Sequence, residues 1–277
     1  MKFKLAYRFT FLTVLITAIL LSGLSQAWAQ TSKTTKISAK NTTVRDKERR
    51  SIELIIREYL LANPSVIREA IQALQLKEEK EKQQRAAESL KTLKRDIYLD
   101  PDSPSVGNAK ADVPIVVFFD YNCGHCKNTL PALQGLLSQD PSLQIIYKEF
   151  PILGQTSQLA SLAALAAKRQ GKYSEFHNAL LAASEIDTSV IKGISDSLKI
   201  NYTTLQKDMS DPKLNEALNR NLRLASTLGI NGTPAYIVGD QIIPGAIDSE
   251  SLKRIIEAQR DNLVKAKSVG KNLGALK

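Results

Sequence analysis

The chain has 277 residues, of which 43% are hydrophobic and 24% are charged, a composition that is ordinary for globular proteins. With 13 glycines, 10 prolines and only two cysteines, it is not collagen-like, disordered or built on a disulfide framework. The formal net charge of +10 would suit a nucleic-acid partner, so the position of these charges along the chain has to be established first.

Residues 1–29 have the pattern of a cleavable secretory signal. Three basic residues at the start are followed by the apolar run Phe9–Leu24 and by the small-x-small pattern Ala27-Trp28-Ala29. An uncleaved N-terminal anchor is the alternative, but the apolar core is short of the roughly 20 residues that a membrane-spanning helix needs. We therefore expect an exported protein.

The positive charge lies mainly outside the body of the chain. The leader carries +3, residues 30–50 carry +5 and residues 265–277 carry +4, which leaves −2 for residues 51–264. Residues 30–50 are rich in Ser and Thr and have too little apolar surface to fold, so we expect a basic flexible tail. With a nearly neutral body, we expect no nucleic-acid partner.

Residues 51–99 are predicted to be helical. Apolar residues recur at helical spacing from Ser51 to Ala62, and Asn63-Pro64 supplies a cap that opens a second helix. From Lys77 to Glu88 the helix is charged on every side. The apolar first part, residues 51–76, needs a surface to cover it. Packing on its own domain is one possibility, and we favour self-association.

The remainder predicts an α/β fold. A buried strand, a helix and a second strand form a βαβ unit, and a long helical insertion is followed by a hairpin and a last helix. The predicted elements are, in order, Pro114–Phe119, a helix from Gly124 to about Ser138, Leu143–Tyr147, an insertion over 158–228 with breaks near Gly171, Asp187 and Asp211, the hairpin 235–243, and Ser249–Ala266. Before them, residues 100–104 contain two prolines and mark a domain boundary.

Both cysteines lie in one motif, Cys123-Gly124-His125-Cys126, at the predicted strand-to-helix junction. A disulfide across two residues closes a very short loop and stabilises little, so a reactive pair is the better interpretation. A thiolate at a helix N-terminus is stabilised by free backbone N–H groups and by the helix dipole, and His125 and Gly124 would tune it further. We expect Cys123 to be exposed and attacked, with Cys126 as the buried resolving cysteine.

A zinc half-site is the alternative interpretation of this pair of cysteines. Zinc would need about two further ligands, and His125 and His177 are the only histidines of the chain. We therefore expect neither a metal nor another cofactor, and a structural role for His177. Tyr121, Lys148 and Glu149 flank the predicted strands near the motif, where they would either assist proton transfer or remain solvated.

The segment from Phe119 to Cys126 resembles thioredoxin-fold disulfide oxidoreductases of the DsbA family, and the resemblance extends over about residues 112–266. It implies a thioredoxin fold with a helical insertion, and a cis proline at Pro234 beside the cysteines, with Thr233 and Pro234 contacting substrate. Gly-His between the cysteines resembles eukaryotic protein disulfide isomerases, and Thr233 resembles the periplasmic isomerases. Oxidase, isomerase and reductase activities therefore remain open.

The segment from Ile56 to Val66, followed by a long charged helix, resembles N-terminally extended DsbA-like proteins, including ScsC-like ones, whose extension oligomerises the chain. This implies a homodimer, or a trimer, through residues 51–76, a catalytic domain at 100–266 and a tail at 267–277. It also implies a periplasmic location, unfolded or misfolded secreted proteins as clients, and a membrane or soluble redox partner. A non-catalytic chaperone or surface-exposed binding protein with the same fold is the alternative.

Overall fold

The computed structural model of the protein describes residues 45–274, so the predicted leader and most of the predicted basic tail lie outside the described residues. The chain divides after Lys77 into two compact units. Over the range 45–274, every helix is too short or too polar to cross a lipid bilayer.

The first unit is helical. Helix α1 covers residues 45–62, and after Asn63 and Pro64 the chain enters α2, Ser65–Thr92, which runs on into the second unit. Residues 45–50 are already helical, although the sequence analysis assigned them to the flexible tail. None of the described residues 45–77 is buried. The large apolar side chains exposed in this unit are Ile52, Leu54, Ile55, Ile56, Tyr59, Leu61, Ile67, Ile71, Leu74 and Leu76.

The second unit is built around a five-stranded mixed sheet. The strands are β1 (Ser105–Gly107), β2 (Ile115–Phe119), β3 (Gln144–Glu149), β4 (Ala235–Val238) and β5 (Gln241–Pro244). Their order in the sheet is β1-β3-β2-β4-β5, and β2 and β3 are parallel while the other neighbouring pairs are antiparallel. The predicted βαβ unit and the predicted hairpin are therefore confirmed, whereas β1 was not predicted.

The helices of this unit follow the predicted order. They are α3 (Lys94–Tyr98), α4 (Gly124–Gln139), α5 (Gln155–Arg169), α6 (Tyr173–Ala182), α7 (Thr188–Ser197), α8 (Tyr202–Met209), α9 (Pro212–Thr227) and α10 (Ser249–Gly274). Helices α5 to α9 form the insertion between β3 and β4. An additional break separates α7 from α8 at Lys199, whose φ is +56°. Helix α10 continues eight residues beyond the predicted end at Ala266.

Side chains of β2 enter the core on both faces of the sheet, because alternate residues of a strand point in opposite directions. Ile115, Val117 and Phe119 pack with α4 and with the inserted helices. Val116 and Phe118 pack on the other face, in a cluster to which α9 contributes. With both faces covered, β2 is fully buried. Its carboxyl end leads directly into the residues that precede α4.

Candidate active site

The two cysteines lie where β2 leads into α4. Cys123 is the N-cap residue of α4, with an extended backbone (φ −80°, ψ 113°), and its N–H donates to the Asp120 carbonyl at 3.1 Å. Cys126 lies within the first turn of the helix, and both side chains are free thiols. The positive end of the helix dipole therefore faces Cys123, while Gly124 and His125 are exposed at the surface.

The register of β4 against β2 brings a distant loop to the cysteines. Ala235 pairs with Phe118 in an antiparallel ladder, so the residues just before β4 lie at the same end of the sheet as the residues just after β2. The peptide bond between Thr233 and Pro234 is cis, as the family resemblance implies. Cys123 Sγ donates to the Thr233 carbonyl oxygen at 3.2 Å.

The side chain of Cys123 is 7% exposed and that of Cys126 is 3% exposed. The expectation of an exposed Cys123 is therefore wrong, and the physical reason is the contact with the Thr233 carbonyl, which covers the sulfur. The two thiols still differ chemically. Burial raises the pKa of Cys126 to about 12, while a hydrogen bond with the Asp120 backbone acts in the opposite direction. At neutral pH Cys126 is therefore a protonated thiol.

A groove of about 390 Å³ runs beside the cis-proline loop. Its walls combine the loop that precedes β4, part of β5 and the second half of α2. Its lining residues include Thr233, Pro234, Pro244, Lys82 and Glu79. The groove places both polar and apolar surface next to Thr233.

Behind the motif, four polar side chains meet in the buried core. Tyr121 Oη lies 3.0 Å from both Glu149 Oε1 and His177 Nδ1, and Tyr173 Oη lies 2.8 Å from the same carboxyl oxygen. All four residues are at most 6% exposed. The positions of Tyr121 and Glu149 near the motif could be predicted from the sequence, but no sequence pattern indicates that His177 and Tyr173 of α6 join them.

This cluster is electrically neutral around pH 7. Burial raises the pKa of Glu149 to about 8, although the hydroxyl groups around the carboxyl oppose this shift. Burial also lowers the pKa of His177 to about 3, so the imidazole carries no charge. A neutral set of hydrogen-bonded groups is what a low-dielectric core tolerates at least cost. The predicted structural role of His177 is compatible with this arrangement.

Lys148 points away from this cluster. Its ammonium group is fully buried and donates to the Asp96 carbonyl at 2.7 Å and to Ser103 Oγ at 2.8 Å, with Asp100 Oδ2 at 3.3 Å. Burial lowers the pKa of Lys148, and the Asp100 carboxylate opposes that shift. The idea of a solvated Lys148–Glu149 pair is therefore wrong, because adjacent strand residues face opposite sides of the sheet and both are buried.

In the part of the chain that the structure describes, no group of three or more His, Cys, Asp or Glu side chains is arranged to hold a metal ion. The chemistry available at the motif is that of two thiols and the backbone around them. One sulfur lies at a helix N-terminus beside a cis-proline loop, and the second lies behind it with its proton held by burial.

Comparison with known proteins defines the class. Residues 114–257 match the DSBA-like thioredoxin domain, and residues 48–87 match the Copper resistance protein ScsC N-terminal domain. The first match covers more than half of the chain, so the protein belongs to the DsbA-like thioredoxin family. The second match places it among the ScsC-like members of that family, in agreement with the resemblance inferred from the sequence.

Solved structures agree with this assignment. A thioredoxin-like oxidoreductase from Silicibacter pomeroyi is 37% identical, with a TM-score of 0.59, and the match covers 60% of this chain and 97% of that one. A linker-deletion mutant of Proteus mirabilis ScsC is 29% identical, with a TM-score of 0.61, and the match covers 77% of this chain and 95% of that one.

Curated relatives are more distant. The probable disulfide bond formation protein D of Bacillus cereus is 25% identical over 170 residues, which cover 56% of this chain and 77% of that protein. Two Na(+)/H(+) antiporters, NhaA 1 of Salinispora arenicola and NhaA 3 of Salinispora tropica, are 25% identical over 164 residues. The chain spans only 25% of the length of these antiporters, and the match covers 58% of this chain.

Proposed function

We propose that the protein is an exported thiol:disulfide oxidoreductase that forms or rearranges disulfide bonds in secreted proteins. The observation that carries this proposal is the position of Cys123 Sγ at the N-terminus of α4, 3.2 Å from the carbonyl oxygen that precedes the cis proline. The family defines the class of chemistry, and this geometry supports Cys123 and Cys126 as the reacting pair.

In oxidation, a client thiolate attacks Cys123 Sγ of the Cys123–Cys126 disulfide. The bond between the two cysteines breaks, Cys126 leaves as a thiolate and takes up a proton, and the client is held by a mixed disulfide. A second client thiolate then attacks the client sulfur of that bond and releases the Cys123 thiolate, which the helix N-terminus stabilises. Two electrons pass from the client dithiol to the protein, and a redox partner would remove them.

In isomerisation, the Cys123 thiolate of the reduced protein attacks a wrong client disulfide first. The released client thiolate attacks another client disulfide, and a last client thiolate displaces Cys123, so that no net oxidation occurs. Thr233 and Pro234 would hold the client backbone in a short β-type pairing, which is largely independent of side chains. The groove beside Thr233 would leave room for a part of the client chain next to this pairing.

We further propose that residues 51–76 join two copies of the chain into a homodimer. The exposed large apolar residues between positions 52 and 61, including Ile55 and Leu61, are 51–71% exposed, and leaving them in water is unfavourable. The match to the ScsC N-terminal domain over residues 48–87 supports association through this region. Two catalytic domains joined in this way could hold a misfolded client between them.

The predicted leader supports a periplasmic location, with export by residues 1–29 and a basic tail at the start of the mature chain. The family also fits an oxidising compartment, in which client disulfides persist.

The redox state of Cys123 in cells, trapped by acid and alkylation, distinguishes an oxidase from an isomerase or a reductase. A mainly oxidised pair indicates an oxidase, and a mainly reduced pair indicates an isomerase or a reductase.

The proposal is tested by the dithiol-driven reduction of insulin, followed by turbidity, with wild-type protein and with Cys123→Ser. We expect the wild-type protein to accelerate the reaction and the variant to be indistinguishable from buffer. His177→Asn, which changes a buried polar residue without a reactive sulfur, is the control and retains activity as long as it is folded. A Cys123→Ser variant that is as active as the wild-type protein would overturn the proposal. If neither protein accelerates the reaction and both bind unfolded clients, the alternative of a non-catalytic chaperone is favoured.

A further inference from the structure

The hydroxyl group of Tyr236 is buried without a partner. Tyr236 is the second residue of β4 and is completely buried. Within residues 45–274, its Oη atom makes no hydrogen bond. A buried hydroxyl of this kind is rare, because it has lost its hydration and gained no bond in exchange. It is unfavourable unless another state of the protein supplies a partner for it.

The sheet places Tyr236 on the face that carries the cysteine motif. Tyr236 pairs with Val117 of β2 in the antiparallel ladder, and both side chains belong to the core cluster that contains the two cysteines. Its neighbours Ala235 and Ile237 belong to the cluster on the other face, as the alternation of a strand requires. The cis proline Pro234 lies only two residues before the tyrosine.

The first turns of α4 lie close to the Tyr236 hydroxyl. Cys126 and Thr129 are both buried, and a spacing of three residues puts them on one face of the helix. Burial raises the pKa of Tyr236, a hydrogen-bonding influence of Thr129 opposes this rise, and the charges of Cys126 and Cys123 add to it. Hydrogen bonding acts only at short range, so the phenol lies near Thr129, one turn beyond Cys126. The proton of Thr129 Oγ1 is already donated to the Cys126 carbonyl at 2.9 Å.

Cys126 is a poor leaving group without help. When the disulfide opens, its sulfur takes up negative charge in a buried site, and the same burial raises the pKa of its thiol to about 12. A thiol with a high pKa leaves slowly in thiol–disulfide exchange. A hydrogen-bond donor that is already in place, in a site of low dielectric, stabilises such a developing charge strongly.

We propose that the Tyr236 hydroxyl donates a hydrogen bond to the Cys126 sulfur as the disulfide opens, and so stabilises the leaving thiolate. The inference rests on the proposed function and adds a third side chain to its chemistry. A client thiolate forms a bond with Cys123 Sγ, and the electron pair of the breaking bond goes to Cys126 Sγ. The tyrosine keeps its proton throughout, and water then protonates the Cys126 thiolate.

The test is Tyr236→Phe, which removes the hydroxyl and keeps the ring. The rate constant for attack of reduced glutathione on the oxidised full-length protein is measured by acid quench and mass spectrometry. We expect the variant to react about tenfold more slowly, because a hydrogen bond to a charged atom is lost. Closure of the Cys123–glutathione mixed disulfide by Cys126 passes through the same transition state and should slow equally. The equilibrium constant should change by less than about threefold, because the neutral thiol is a weak acceptor.

The matched control is Tyr98→Phe, which removes a phenol that donates to the Gly239 carbonyl at 2.9 Å, just beyond β4. Its rate constants should equal those of the wild-type protein. Alkylation of reduced Cys123 by iodoacetamide releases no Cys126 thiolate, so its rate should be unchanged in Tyr236→Phe.

Three results would overturn the inference and leave the proposed function in place. They are an unchanged rate of glutathione attack in Tyr236→Phe, a slower attack with an unchanged closure rate, and an alkylation rate that falls together with the rate of attack. The last of these would indicate that the variant disturbs the motif as a whole. If glutathione does not open the disulfide of the wild-type protein, the proposed function fails as well.

Discussion

The two units of the molecule differ in the exposure of their isoleucine residues. In the first unit, Ile55 and Ile56 are 64% and 51% exposed, and none of the described residues 45–77 is buried. In the second unit, Ile115 and Ile145 are completely buried in the sheet. The second unit covers its own core, whereas the first unit has the apolar surface for a core and no partner for it within its described residues.

This difference separates folding from association. A unit that buries its apolar residues within one chain is stable as a monomer, and a pair of amphipathic helices gains most of its stability from packing against something else. We therefore expect changes in the second unit to alter stability and chemistry. Changes in the first unit should alter the mass of the assembly in solution and the rate at which large clients are refolded.

Deletion of residues 51–76 is the strongest test of that comparison. We expect the full-length protein to have the mass of a homodimer by light scattering and the deletion variant to have the mass of a monomer. Oxidation of a small dithiol peptide should persist in the variant, because the cysteines and the cis-proline loop lie in the second unit. Refolding of a scrambled protein with several disulfides should be slowed. Equal monomer masses for the two proteins would reject association. A trimer mass for the full-length protein would replace the proposed homodimer with a trimer.

A matched pair of isoleucine substitutions places one change in each unit. Ile115→Ala opens a cavity in the middle of β2 and should lower the free energy of unfolding by roughly 2–5 kcal/mol. Ile56→Ala removes an exposed side chain and should leave the unfolding of the second unit unchanged while weakening association. Urea unfolding monitored by tyrosine fluorescence, together with dilution-series light scattering, measures both effects. Similar unfolding losses in the two variants would contradict the comparison.

The buried titratable groups of the second unit predict a smaller, pH-dependent effect. Glu149 has its pKa raised to about 8 from the ordinary 4.5 by burial, and the Asp120 charge adds to the shift. The folded state holds this proton more tightly than the unfolded state, so the resulting stability is complete below pH 4.5 and is lost as the pH rises through 8. His177, with its pKa lowered to about 3 by burial, contributes stability above pH 6.5 that is lost as the pH falls toward 3.

The two effects oppose each other between pH 4.5 and 6.5, so the loss due to Glu149 should be visible between pH 6.5 and 8. We expect the wild-type free energy of unfolding to fall by about 2 kcal/mol over this interval, at ~1.36 kcal/mol per pKa unit. Glu149→Gln keeps the shape and hydrogen bonding of the protonated acid and should remove the decrease. Urea unfolding at pH 5, 6.5 and 8 measures it, and identical pH profiles for the two proteins would show that Glu149 is not the cause.

Much of the fold could be predicted because its main elements carry local signals. The apolar run of β2 and the change to helical spacing after Cys123 predict the βαβ unit without any knowledge of tertiary contacts. Strand β1 has only three residues and is defined by its pairing with β3, so no local pattern marks it. The break at Lys199 could not be predicted either, because a lysine does not indicate a residue with positive φ as a glycine does.

The cysteine motif could be predicted for the same reason, and the residues around it could not. Only Gly124 and His125 separate Cys123 from Cys126 in the sequence, but Glu149 and His177 are brought to Tyr121 from 28 and 56 residues away. One signal was available: Lys148 and Glu149 are charged residues that directly follow Ile145, Ile146 and Tyr147 within β3, and charged residues are unusual in a buried strand. Asp120 gave no such signal, since an aspartate before a helix is typical of a turn.

The central claim is that Cys123 is the sulfur that exchanges with clients, and trapping tests it most directly. Without Cys126, the mixed disulfide between Cys123 and a client has no internal thiol to resolve it. Cys126→Ser, incubated with a client protein that contains a disulfide, should accumulate a covalent complex that is cleaved by dithiothreitol. Peptide mapping by mass spectrometry should place the bond at Cys123. If no complex forms with Cys126→Ser although the protein is folded and Cys123 is reduced, the proposed exchange at Cys123 is contradicted.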